Sequence, residues 1–284
     1  MKTIRLLYPD CAGGGLSTYA FGARLLAHIL PPNDRQPLIE VPAAPPDVLP
    51  LPVTDGIAGL EEVTAGIRRA AALIEDAAPD RIITIGGDCL VSLAPFDYLH
   101  GRFPDAGILW IDAHPDVSTA ACGYPNAHAM VLGALLGGGE PALEALRRHP
   151  PFAPDHLLYA GLQGLHDYQK EFLDRRGAAY TVQTERFLPL DEIRAFASRF
   201  ERLLVHLDID VLDPAFFHST YFANPALTGD GSGGGRMTMD ELAALLACVS
   251  SAADIAGFTI AEYLPFDEER LHHLFAGLPL FTGP

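Results

Sequence analysis

Residues 107–116 read GILWIDAHPD. A short run of apolar residues, with β-branched and aromatic side chains, leads straight into Asp112, His114 and Asp116. A run this short, with no polar position to face water, reads as a strand covered on both faces, as in parallel sheets flanked by helices. Five further runs share its character: Thr3–Leu7, Arg81–Ile85, His156–Ala160, Arg202–Leu207 and Ile255–Ala261. Longer segments with helical spacing lie between them. The clearest is Asp55–Ala77, which carries Ile57, Leu60, Val63, Ile67 and Ile74 near one face. Thr238-Met-Asp-Glu241 fits a capping box that opens a helix through Val249, and Asp191–Phe200 and Asp267–Phe275 are further helix candidates. The alternation predicts a three-layer α/β/α fold around a mainly parallel sheet. No compositional break divides the chain, so residues 1–284 read as one domain.

The composition supports a large core and narrows the function. Of 284 residues, 49% are hydrophobic and 19% charged, the opposite of a disordered chain. Nineteen basic residues against 36 acidic ones leave a net charge of −17, which repels nucleic acid and anionic lipid on average, so neither is an expected partner. Cys11, Cys89, Cys122 and Cys248 are scattered, with no CxxC pair, and do not form a disulfide framework. MKTIRLLYPD lacks a signal-peptide core, and the longest uncharged apolar stretch, Ala129–Gly139, falls well short of the ~20 residues a membrane span needs. The expectation is a soluble, cytoplasmic protein. Pro31–Pro37 and Val41–Pro52 read as extended connections, and GDGSGGG (Gly229–Gly235) as a flexible loop without a phosphate-binding pattern.

The position of the acids is more informative than their number. Four strand candidates end in acid-bearing motifs: Gly86-Gly87-Asp88-Cys89, Asp112-Ala-His114-Pro-Asp116, Asp208-Ile-Asp210 followed by Asp213-Pro214, and Glu262-Tyr-Leu-Pro265. In an open α/β sheet ligands bind beyond the carboxyl ends of the strands, so parallel neighbours would bring the four motifs to one edge. Residues i and i+2 of a strand share a face, which lets Asp112 act with His114 and Asp208 with Asp210. Aspartates after a strand are often only turn or cap residues, so either motif alone says little. Together they describe a cluster of carboxylates that repel one another unless a cation neutralises them. Mixed oxygen and nitrogen ligands favour a divalent ion such as Mn²⁺, and two ions sharing a carboxylate can activate a common water to hydroxide.

On these residues, together with Trp110 and Asn126-Ala-His128, the chain resembles the ureohydrolase (arginase/agmatinase/formimidoylglutamase) family. The motifs occur in the family's order over residues 86–265. The resemblance implies an arginase-like fold and a binuclear, usually Mn²⁺, hydrolase of guanidino or amidino C–N bonds. It implies that Asp112 and Asp208 bridge the metals, that Asp116 completes one site, and that His114 and Asp210 complete the other. Glu262 would hold the substrate guanidinium, His128 would shuttle a proton, and a metal-bridging hydroxide would attack the planar carbon. A small cationic guanidino-type substrate and a homo-oligomer, trimer or hexamer, are the implied partners. On the residues alone, His128 also reads as a structural histidine in a helix's first turn, and Glu262 as a strand-end surface acid.

The chain departs from the family pattern in metal ligation and in substrate recognition. The family's histidine after GGD is Cys89, either a softer ligand that favours Zn²⁺, Fe²⁺ or Ni²⁺ over Mn²⁺, or a buried thiol that ligates nothing. His206, two residues before Asp208, shares its face; a core-facing or supporting role is preferred over a replacement nitrogen ligand. Ser118 stands where arginases have an asparagine for the amino-acid end of arginine, and His166 near their acidic residue for the substrate ammonium, which argues against arginine itself. A same-fold amide deacylase and a non-catalytic relative with an impaired metal site are the alternative readings.

Overall fold

The computed structural model describes residues 1–43, 49–276 and 278. Its strands are β1 (Thr3–Tyr8), β2 (Leu38–Glu40), β3 (Val53–Thr54), β4 (Ile57–Ala58), β5 (Arg81–Gly86), β6 (Gly107–Ile111), β7 (Leu157–Ala160), β8 (Arg202–Asp208) and β9 (Asp254–Ala261). Its helices are α1 (Thr18–Ile29), α2 (Leu60–Ala77), α3 (Leu93–Arg102), α4 (Val131–Leu136), α5 (Pro141–Glu144), α6 (Asp167–Arg176), α7 (Leu190–Ala197), α8 (Met239–Ala252) and α9 (Phe266–Ala276). Seven strands form one sheet in the order β2-β1-β5-β9-β8-β6-β7, and every pairing is parallel. Strands β3 and β4 form a separate antiparallel hairpin.

Alternate residues of the buried strands feed two cores. Ile4, Leu6, Ile82, Ile108, Trp110 and Tyr159 face α2, α3 and α4, whereas Leu7, Ile85, Leu109, Ile111, Val205 and Leu207 face α1, α7 and α8. This period of two on strands without polar positions produces the three layers. The capping box is present: Thr238 Oγ1 accepts from the Glu241 amide at 3.3 Å, and Glu241 Oε2 accepts from the Thr238 amide at 2.8 Å. No helix among the described residues is long and apolar enough to cross a membrane.

Some boundaries differ from the sequence reading. The helix expected from Asp55 begins only at Leu60, because Asp55 and Gly56 adopt φ of 50° and 81° to turn the β3–β4 hairpin. Pattern analysis misses α1, α3, α4, α5 and α6. Helix α4 is buried on all sides and α6 is mostly polar, so neither shows an apolar stripe. The edge strand β2 lies between the two proline-rich segments. Of the connection expected at Val41–Pro52, residues 44–48 lie outside the described residues.

One close approach ties the layers to the sheet edge that carries the acids. A Cβ on Gly22, in the middle of α1, would overlap the carbonyl oxygen of Tyr263, the residue after Glu262. The glycine lets α1 lie against this segment, and Tyr19, one turn earlier, then donates its hydroxyl to Glu262 Oε2 at 3.0 Å. Helix propensity alone would favour alanine here by roughly 0.5–1 kcal/mol. The overlap outweighs that gain, since overpacking costs about 1–3 kcal/mol. Gly22→Ala is therefore expected to lower the midpoint of urea unfolding; an unchanged or higher midpoint would contradict this packing.

Candidate functional site

The four central strands β5, β9, β8 and β6 are neighbours, so their carboxyl ends deliver the four acid-bearing motifs to one place. A common device aims the side chains. Asp88 Oδ1 accepts from the Leu90 amide at 3.0 Å, Asp112 Oδ1 from the His114 amide at 2.7 Å, and Asp208 Oδ1 from the Asp210 amide at 2.6 Å. Each aspartate closes a turn onto the residue two positions on, which holds one oxygen and turns the other away. Asp88 spends its second oxygen on the Gly14 amide at 2.8 Å and therefore caps the short helix Cys89–Ser92 without entering the cluster. Asp116 and Glu262 hold left-handed backbone conformations, with φ of 49° and 60°. For residues with a side chain this costs on the order of 1–3 kcal/mol each, a strain typical of functional sites.

The eight residues given metal-binding or catalytic roles from the sequence converge, whereas Asp213 Oδ1 accepts from the Ala215 amide at 2.8 Å and, like Asp88, stays out of the cluster. His114 Nδ1 lies 2.9 Å from Asp210 Oδ2 and 3.5 Å from Asp112 Oδ1. Cys89 Sγ lies 2.8 Å from Asp208 Oδ2 and 3.6 Å from Glu262 Oε1. His128 Nδ1 meets Glu262 Oε1 at 2.7 Å, and its Nε2 is 3.2 Å from the Tyr124 hydroxyl. Glu262 is thus buried within the cluster and not a surface acid. Donor atoms of Cys89, Asp112, Asp116 and His206 lie within 4.8 Å of one another, as do those of Cys89, Asp208 and Glu262, and those of Asp112, His114 and Asp210.

The electrostatics show what the cluster lacks. Burial pushes the carboxyl groups of Asp112, Asp116 and Asp208 above the usual carboxylate range, and repulsion by neighbouring acids, Asp210 and Glu262 among them, adds to it. Burial and the adjacent Asp208 raise the Cys89 thiol. For His114 burial opposes the charge, but Asp210 and Asp112 prevail and raise it well above the ordinary imidazole value. Asp116 Oδ2, Asp210 Oδ1 and His206 Nε2 are buried without a hydrogen-bond partner among the described residues. Unpaired buried acceptors that surround a shared volume fit divalent cations, which would satisfy them and reverse the repulsion.

Several contacts escaped the sequence reading. Trp110 Nε1 donates to Asp112 Oδ2 at 2.9 Å. The glycine-rich loop, expected to be a plain connection, brings the Gly233 carbonyl to 2.9 Å from His114 Nε2. Acceptance there places a proton on Nε2 and leaves Nδ1 for the cluster. No side-chain motif could announce a backbone carbonyl. Asp230 of the same loop lines the cleft 3.2 Å from His166 Nε2. Ser118 is fully buried behind Gln169, whose Nε2 donates to its hydroxyl at 3.3 Å.

The sequence model of the Arginase family matches residues 44–277. An arginase from Bacillus caldovelox is 30% identical over 141 residues, which is 47% of this chain and 47% of that protein. An agmatinase from Halalkalibacterium halodurans is 29% identical over 185 residues, 64% of this chain and 55% of that protein. The chain spans about half the length of the curated relatives it matches. Among solved structures, Entamoeba histolytica arginase in complex with L-ornithine superposes with a TM-score of 0.73 at 18% identity, covering 93% of this chain and 90% of that one. Formimidoylglutamase from Bacillus subtilis gives 0.61 at 16% identity, covering 93% and 79%. These structural likenesses establish an arginase-like α/β fold, and with the family match running from residue 44 to residue 277 the chain belongs to the arginase family.

Proposed function

We propose that this chain is a metal-dependent hydrolase of C–N bonds in small guanidino or amidino compounds. It works as a single domain over residues 1–284, in the cytoplasm and as a homo-oligomer, trimer or hexamer. Two divalent ions would be held by Asp112 and Asp208 in common, by Cys89 and Asp116 on one side, and by His114 and Asp210 on the other. When bound, such a pair supplies hydroxide at neutral pH by lowering the pKa of water.

The chain's own groups do the rest. Glu262 offers a buried carboxylate to a planar cation, which matches its geometry and charge. Its contacts to Tyr19 and His128 fix its orientation before substrate arrives. His128 is held well above the ordinary imidazole value: burial opposes this, but Tyr124 and Glu262 outweigh it. It therefore carries a proton at neutral pH. A guanidinium beside it weakens its hold on that proton, which suits delivery to the leaving amine. The products are an amine and urea, or a related amide. The observation that carries the reading is the His128–Glu262 pair, 2.7 Å apart, standing over a buried cluster that calls for cations.

Protein loaded with divalent metal is expected to release urea or formamide from at least one guanidino or formimino compound. His128→Asn should keep its metal and lose about 10²–10⁴-fold in turnover. A broad screen that stays silent with several metals contradicts the reading; activity confined to acetylated amines transfers it to amide deacylation.

The cluster also predicts a pH response. The native carboxyls of Asp112, Asp116 and Asp208 keep protons that the unfolded chain gives up near pH 4, and native His114 and His128 keep protons released near pH 6.5 when unfolded. The native state binds more protons, so this stabilisation is present at low pH and is lost as pH rises through the raised native values. His206, lowered to about 4 by burial, acts oppositely, but only below its ordinary value near 6.5. Chelator-treated protein should therefore lose thermal stability from pH 6.5 to 8.5, and Mn²⁺ or Zn²⁺ should abolish that loss. Equal slopes with and without metal would contradict it.

A further inference from the structure

The ring of His206 is held in one plane. It stacks on Trp110, its partner across the β6–β8 pairing, with centroids 3.7 Å apart and planes 6° apart. Its Nδ1 lies 2.8 Å from Ser92 Oγ. Its Nε2 is fully buried and has no hydrogen-bond partner among the described residues. The Asp112 Oδ2 atom is 4.0 Å away, beyond hydrogen-bond reach, and already accepts from Trp110 Nε1.

This arrangement decides between the two tautomers. A neutral imidazole has a single N–H, and the contact of Nδ1 with Ser92 Oγ gives that proton an acceptor on one side of the ring only. A proton on Nε2 would be a buried donor that meets no acceptor. A proton on Nδ1 is given to Ser92 Oγ, and Nε2 then presents a bare lone pair to the volume it shares with Cys89 Sγ, Asp112 and Asp116. Ser92 and Cys89 stand on the same short helix, Cys89–Ser92, so one turn of chain sets both the thiol and the histidine.

We propose that His206 Nε2 is the nitrogen ligand of the ion on the Cys89 side, which is thereby held by a thiolate, an imidazole, the carboxylate of Asp116 and the shared carboxylates of Asp112 and Asp208, a set that selects zinc or a similar borderline ion over manganese. The proposal deepens the metal-centre reading given above and rests on it. Thiolate sulfur and imidazole nitrogen are ligands that zinc takes readily, whereas manganese favours carboxylate, carbonyl and water. Binding displaces the Cys89 thiol proton to solvent. The second group, Asp112, His114 and Asp210, has no sulfur, so the two positions differ in softness and the centre can hold two different metals.

Crystals of the wild-type chain grown with Zn²⁺ and Mn²⁺, with data at both absorption edges, test this. The expected zinc peak lies about 2.0–2.1 Å from His206 Nε2 and about 2.3 Å from Cys89 Sγ. In solution, His206→Gln should weaken zinc binding at one position by more than about 100-fold, beyond the 10–100-fold that a merely supporting partner costs, and leave the second ion in place. An ion bound by Cys89 and Asp116 with His206 out of reach, or a folded His206→Gln protein with unchanged zinc affinity, overturns the proposal alone. A cluster that takes up no ion overturns it together with the metal-centre reading.

Discussion

Like charges gathered where water cannot screen them are the constraint on which this structure turns. Asp112, Asp116, Asp208, Asp210 and Glu262 are buried at the carboxyl ends of β6, β8 and β9. An isolated buried carboxylate costs several kcal/mol, and its neighbours raise that cost. Two partial remedies are built into the chain. His114 and His128 approach the acids as cations, and backbone amides at each strand end hold one oxygen of Asp112 and of Asp208. Neither remedy reaches the remaining orphaned oxygens of Asp116 and Asp210, and it is these that call for positive ions.

The fold serves this constraint directly. Only parallel strands place all their carboxyl ends on one edge, and the order β5-β9-β8-β6 makes the four contributing strands adjacent. The outer elements then close the edge. Helix α1 lies against the segment after Glu262 through Gly22, and the glycine-rich loop supplies the Gly233 carbonyl that orients His114. The left-handed backbone at Asp116 and Glu262 is local strain that the surrounding hydrogen bonds and packing must over-determine.

Much of this is legible in the sequence, for physical reasons. Strand β6 has the bounds that its apolar run suggests because no polar residue interrupts it, and the Thr238–Glu241 cap is a local interaction. The six metal-ligand candidates and His128 and Glu262 converge because acids after apolar strands have one edge to go to. What stays hidden depends on contacts distant in sequence. Tyr19 reaches Glu262 across 243 residues, and Gly233 acts through a carbonyl that every residue has. His206 illustrates the intermediate case: its face follows from spacing, but whether it packs or ligates depends on the Trp110 stack and on Ser92.

On this reading the buried acid cluster exists to hold cations. Metal analysis of the purified full chain after dialysis, by mass spectrometry against protein concentration, tests it most directly. Close to two divalent ions per chain are expected, falling sharply in Asp208→Asn protein. A wild-type chain that stays empty when supplied with Mn²⁺, Zn²⁺, Fe²⁺ or Ni²⁺, and whose thermal stability none of them changes, would contradict it.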